Sequence, residues 1–292
     1  MSTIPAPLGQ RPRGDKVRGT IFYVLLLISV AVGFIILFAL IADVVQKGIG
    51  YIDPLFFTEP NNPTNPQEAG AKPAILGTIY LMVLLLMFVV PIGVGTAIYL
   101  EEYADRERWY NRLLELNIQN LAAVPSIVYG ILGLAFLVRG LGLGRVLLAG
   151  ALILTLLVLP TVIVAAREAI RAVPDSIRQG AYALGATQWQ VVRRQVLPAA
   201  IPGIATGSIL ALARAIGETA PLLLVGALTY VTVDPSLLGS FTALPVQIYQ
   251  WIARPQEEFR YLAAAGIMVL LAILLTMNAF AIWLRNRYQR RW

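Results

Sequence analysis

The chain contains neither cysteine nor histidine. Without cysteine there are no disulfides, thiolate nucleophiles or Cys-zinc sites, and without histidine no His-ligated metals and no Ser-His or Cys-His catalysis. Charge is scarce as well: Asp, Glu, Lys and Arg make up 13% of the 292 residues, against about 25% in an ordinary soluble domain. A water-soluble globule is excluded, and most enzyme chemistry with it. What the sequence holds in abundance is apolar residues, 58% of the chain, gathered into stretches that carry no charge at all.

Those stretches run Thr20–Ala42, Pro73–Leu100, Leu116–Val138, Val146–Ala166 and Tyr261–Leu284. A helix rising 1.5 Å per residue needs about 20 apolar residues to cross roughly 30 Å of hydrocarbon, so each is long enough to span. A sixth candidate, Pro202 to Leu228, is apolar except for Arg214 and Glu218 near its middle. The expected architecture is therefore an all-α membrane protein with six transmembrane helices. Pro235–Ala253 also lacks charge, but Pro235, Gly239, Pro245 and several hydroxyl and amide side chains interrupt it. Such a backbone could not satisfy itself in lipid, so this stretch reads as an outside loop with a short amphipathic helix around Leu244–Ile252.

Six crossings leave both termini on one side. Most of the 23 basic residues then fall on that side, in four clusters: Arg11 to Arg18; Arg106, Arg108 and Arg112; Arg167, Arg171, Arg178, Arg193 and Arg194; and Arg285 to Arg291. Opposite them stand Lys47, Lys72, Arg139, Arg145, Arg254 and Arg260. The bias places both termini in the cytoplasm and makes the net charge of +7 a determinant of orientation rather than a nucleic-acid footprint. The expected organisation is a cytoplasmic tail over 1–19, a first span over 20–45, an irregular Pro- and Asn-rich external loop over 46–73, a membrane core over 74–285 and a short tail over 286–292. The first apolar run exceeds a signal-peptide core and reads as an uncleaved anchor of a multi-pass protein in the cytoplasmic (inner) membrane.

Arg167 to Ile201 is far longer than a helix hairpin needs. Pro174-Asp175-Ser176 reads as a helix start, Ser176–Leu184 as a helix, and Gly185 as a turn. Thr187 would cap a second short helix through Gln195, with Pro198 and Pro202 marking its end. Read from the residues alone, two roles stay open for this helix–turn–helix. It could insert Ala181, Tyr182, Ala183, Leu184 and Trp189 into a partner's groove, or lie on the lipid surface with Trp189 as an interfacial anchor.

The run Gln179-Gly180-Ala181-Tyr182-Ala183-Leu184-Gly185-Ala186, followed by Trp189 and Gln195-Val-Leu-Pro198, resembles the EAA loop of ABC-importer membrane subunits. Gln179-Gly180 stands where that family has Glu-Ala. Asn117 to Ala135 and the segment Ala213-Arg-Ala-Ile-Gly-Glu-Thr-Ala-Pro-Leu-Leu223 look like phosphate-transport permeases, the Glu-Thr-Ala-Pro ending favouring the PstA type over the PstC type. The likeness covers about residues 70–285. It implies a type I (MetI-like) ABC importer permease fold in which the 167–201 loop is the coupling loop. It further implies a PstC-type permease partner, a PstB-type ATPase dimer, a periplasmic or extracellular phosphate-binding protein received chiefly on Thr229–Tyr261, and phosphate as cargo. No cofactor is expected in this chain. The sequence holds no Gly-x-x-x-x-Gly-Lys-Ser/Thr run, so ATP and Mg would sit on the partner ATPase.

Arg214 and Glu218 need a reason of their own, because a charge at the bilayer centre costs about 2.5–3.5 kcal/mol on insertion scales. Four residues apart on a helix, they would lie within pairing reach. Either they form a buried ion pair, or Arg214 faces a polar pathway and offers its donor fork to an oxyanion while Glu218 weakens the grip enough for release. Ser126 and Tyr129 are candidate pathway hydroxyls. Pro125 and Pro160 would bend their helices or free carbonyls; Gly130, Gly133, Gly140, Gly142 and Gly144 would permit close contact or a short re-entrant stretch. Tyr99 and Trp109 read as interface-belt residues. The alternatives are a permease for sulfate, molybdate or phosphonate, a secondary carrier in which Glu218 exchanges protons, and a structural membrane scaffold.

Overall fold

The computed structural model describes residues 13–105, 107–227, 231 and 233–288. Arg11, Arg106, Arg290 and Arg291 of the basic clusters, and Leu228 and Thr229 at the ends of the expected span and loop, lie outside them. The chain divides after Lys47 into two units. The first is helix α1 (Arg13–Gly48), whose apolar side chains are exposed all round, Phe22 at 68% and Phe38 at 76%. A helix apolar on every face suits lipid. It is longer than the expected 20–45, and an Asp43–Lys47 pair at 2.8 Å supports its last turns.

The second unit runs, in order, α2 (Pro54–Thr58), α3 (Lys72–Ile98), α4 (Trp109–Ala122), α5 (Ser126–Gly133), α6 (Leu147–Arg171), α7 (Asp175–Ala183), α8 (Gln188–Val191), α9 (Leu197–Ile216), α10 (Ala220–Val225), α11 (Leu244–Ile252) and α12 (Glu257–Tyr288). No strand occurs among the described residues. Three π-helical turns, Tyr99–Tyr103, Leu134–Gly140 and Val192–Val196, continue α3, continue α5 and join α8 to α9. Among the described residues five helices are long and apolar enough to cross a membrane, and a bent pair, Trp109–Ala122 with Ser126–Gly140, brings the number to six when it is counted as one span.

At the centre stands α6. Leu147, Ile153, Leu154 and Ile170 are at most 1% exposed, and α3, α4, α5 and α9 all pack on it. Lipid offers no hydrophobic drive between helices, so contact there depends on small residues. Gly203 and Gly207 of α9 face Ala169 and Ala165 of α6, and a Cβ on Gly207 would stand 2.3 Å from that of Ala165. Pro160 lies inside α6 without breaking it.

Three expectations change. The third span is not one helix: it turns by 106° at Ala123-Val124-Pro125, where proline disfavours a helical conformation in the residue before it. The fifth span starts at Gln188 rather than Pro202 and stops at Ile216, so Pro198 and Pro202 end nothing. Pro198 follows directly on the Val192–Val196 π turn, where the Leu197 N–H already bonds back to the Val192 carbonyl, so its missing N–H falls where the regular ladder is interrupted. Lastly, the 46–73 segment is more ordered than its Pro and Asn content suggested. Phe56 is buried against Trp251, and the Trp251 indole donates to Asn61 Oδ1 at 2.9 Å. Arg254 reaches the Pro63 carbonyl and lies over the Phe259 ring at 4.6 Å.

Candidate functional site

The helix α9 ends at Ile216 because Gly217 caps it, and Glu218 turns back with its N–H on the Ala215 carbonyl. Pro221 in the first turn of α10 then starts a new short helix. Arg214 and Glu218 therefore occupy a helix break, not the middle of a span as expected. Their ion pair does form, Nε to Oε1 at 3.6 Å, but it is open: the Arg214 side chain is 62% exposed and that of Glu218 is 17% exposed. A guanidinium that spends one long contact on its carboxylate keeps most of its donors for another anion.

Close to this break lies α5. A Cβ on Gly130 would stand 2.8 Å from Pro221 Cα, so the two short helices touch backbone to backbone. Ser126, half-buried, opens α5. Tyr129 is buried and donates its hydroxyl to the Leu121 carbonyl at 2.9 Å, which also accepts from the Val124 N–H at 3.2 Å in the turn that ends α4. Its hydroxyl thus braces the bend. Gly142 and Gly144 adopt positive φ in the connection that follows.

At one end of the unit α7 and α8 form the expected helix–turn–helix. Gly185 takes φ +79°, the left-handed region that a side chain strains, and closes the turn between them. Gln190 Oε1 accepts from the Thr187 N–H at 2.9 Å, one half of a capping box. Ala181 and Ala186 turn inward onto Ile177, Val173, Val191 and Val196. Gln179, Gly180, Tyr182, Ala183, Leu184 and Gly185 face out, with Leu184 at 90% and Trp189 at 58%. A cleft of about 320 Å³ between the two helices is lined by Ile177, Ala181, Leu184, Gln190 and Arg194. Leu184 and Trp189 thus put an exposed apolar surface on and beside the glycine turn.

Behind this element lies a set of charges that the sequence did not disclose. The π turn Tyr99–Tyr103 presents adjacent carboxylates, Glu101 at 4% and Glu102 at 6% side-chain exposure. Glu101 Oε1 accepts from Arg167 Nε and Arg171 Nη2, both at 2.8 Å, and Arg167 also reaches Glu115 at 2.5 Å. Glu102 Oε1 accepts from Arg178 Nε at 3.2 Å and Nη2 at 2.9 Å, and its carbonyl accepts from the Gln188 amide. The available signal was an acidic pair on the same side of the membrane as the Arg167–Arg178 cluster. A count of basic residues alone passes over it. Tyr99, assigned to the interface belt, bonds Asn111 at 3.3 Å.

A helical membrane bundle whose fourth and fifth spans are joined by this helix–glycine turn–helix has the fold of a type I ABC importer permease. Its backbone follows the membrane chain of a bacterial alginate ABC transporter, solved with an alginate pentasaccharide-bound periplasmic protein, at a TM-score of 0.66 and 18% identity, over 93% of this chain and 96% of that one. The model of the family "Binding-protein-dependent transport system inner membrane component" matches residues 89–291. The phosphate transport system permease protein PstA 1 of Mycobacterium tuberculosis is 35% identical over 76% of this chain and 72% of its own length. PstA of Yersinia pestis is 33% identical over 90% and 88%. The chain belongs to the binding-protein-dependent transport permeases, in the branch that holds the PstA phosphate transport proteins.

Proposed function

We propose that this chain is a membrane-spanning subunit of an ATP-driven phosphate importer, forming part of the translocation pathway and taking its energy from a separate ATPase. The observation that carries the reading is the α7–α8 element, with Leu184 at 90% exposure beside the glycine turn that precedes the fifth span. It acts in the cytoplasmic (inner) membrane with both termini inside. A PstC-type permease stands beside it, a PstB-type ATPase dimer holding ATP and Mg lies below, and a phosphate-binding protein docks on the outer loops. The names of the relatives at 33–35% identity support phosphate as cargo.

The chemistry follows from the helix break. Arg214 offers a planar fork that matches a phosphate oxyanion in two parallel hydrogen bonds. Glu218, held 3.6 Å from it, repels a dianion and keeps the site weak enough to empty. In the Arg214→Ala variant phosphate uptake is lost while membrane insertion and ATPase association persist; wild-type uptake by a stably inserted variant would remove Arg214 from the pathway. The Gly185→Asp variant places a charged side chain on a left-handed turn that faces the partner, and it should uncouple the ATPase. Normal ATPase recovery together with normal transport in that variant would defeat the docking assignment. Uptake that survives ATP depletion and collapses with the proton gradient would instead mark a proton-exchanging carrier.

A further inference from the structure

We propose that Glu102 is the positioning residue through which movement of the α7–α8 element reaches the second span, an inference that rests on that element docking an ATPase. The argument begins with Arg178. Its guanidinium makes two bonds to Glu102, one to the Val173 carbonyl at 2.6 Å, one to the Ile170 carbonyl at 3.0 Å and one to Asp175 at 3.1 Å. Ile170 lies in the last turn of α6 and Val173 two residues past its end, where the Ile170 carbonyl also accepts from the Val173 N–H at 3.2 Å. One side chain thus joins the end of α6, the first limb of the docking element and the end of the α3 span. Gln188, which opens the second limb, bonds the Glu102 carbonyl. Both limbs therefore meet at a single residue of the π turn.

The neighbouring carboxylate serves another element. Glu101 takes Arg167 and Arg171 on α6, whereas Glu102 takes the docking element. Apolar contacts among Ala97, Ile170, Val173, Val191 and Val196 also hold the element to the bundle, but such contacts have no direction and permit sliding. A desolvated ion pair in which two guanidinium nitrogens close on one carboxylate oxygen fixes distance, and the bonds of the same guanidinium to the Ile170 and Val173 carbonyls fix its orientation. Displacement of α7 and α8 must therefore either carry the end of α3 along or break the pair.

The test uses the complete importer, both permeases, the ATPase pair and the binding protein, reconstituted in proteoliposomes and supplied with inorganic phosphate. The readout is phosphate moved per ATP hydrolysed. In Glu102→Ala the ATPase is retained and hydrolysis continues, but the ratio falls by about tenfold, the factor carried by one charge-assisted hydrogen bond. Glu102→Gln, which keeps the shape and one acceptor, falls less. A purely structural role would lower the amount of assembled complex and leave the ratio at its wild-type value, and that result overturns the proposal. Should Glu102→Ala fail to assemble, Arg178→Lys keeps the charge and loses the fork; it too must lower the ratio, and a wild-type ratio there is equally fatal. A wild-type complex that never retains the ATPase overturns the docking assignment itself, whereas normal coupling in Glu102→Ala with the ATPase bound overturns only the role of Glu102.

Discussion

Arg214 and Glu218 share one contact at 3.6 Å beside a helix break, with the guanidinium 62% exposed. Arg167, by contrast, is 10% exposed and holds two carboxylates at 2.5 and 2.8 Å, one of them, Glu101, only 4% exposed. The same two residue types serve opposite ends. An open pair leaves donors for something that comes and goes, while a closed network leaves nothing to offer and instead fixes the elements that carry it. Desolvation decides the difference: a buried charge must be fully paired to exist at all, and a half-exposed one need not be.

Removing members of each group should separate the two cases in thermal unfolding of the purified protein. The largest effect belongs to Arg167→Ala, which takes one of two arginines from the buried Glu101, leaving it Arg171, and removes the contact to Glu115; it should cost about 2–3 kcal/mol, and a shift no larger than that of a surface variant would break the comparison. A double change of Arg167→Met with Glu101→Leu should recover most of that loss, because it removes buried charge from both sides. Glu115 is 35% exposed, so Glu115→Gln should cost at most about 1 kcal/mol. Least of all is Arg214→Ala, with a stability change under about 1 kcal/mol even though uptake is lost. A large destabilisation by Arg214→Ala would turn that pair into a structural bridge and erase the contrast.

Much of this was legible in the sequence. Charge-free length located five crossings, and the apolar run around Arg214 and Glu218 a sixth, because bilayer thickness admits few alternatives. The Gly185 turn and the Thr187 helix start followed from local chemistry, which acts within a few residues. The stopping point of α9 was misread: Gly217 and Pro221 together make a break, yet each is tolerated singly within membrane helices. Glu101 and Glu102 went unnoticed because a carboxylate at the end of an apolar run reads like any solvated one. Their partners lie 65 and more residues away along the chain, at Arg167, Arg171 and Arg178, and only the folded bundle brings them together.

The π turn at Val192–Val196 has an effect on phase. A single wide turn inserts one extra residue into an otherwise regular helix, so everything before it is offset by roughly 100° from where an unbroken α-helix would set it. Trp189 lies before the turn and the lipid- and α6-facing stripe of α9 lies after it. The azimuth of the outer surface is thereby set independently of the stripe, and loss of one residue from that turn would swing Trp189 around the axis while leaving α9 seated.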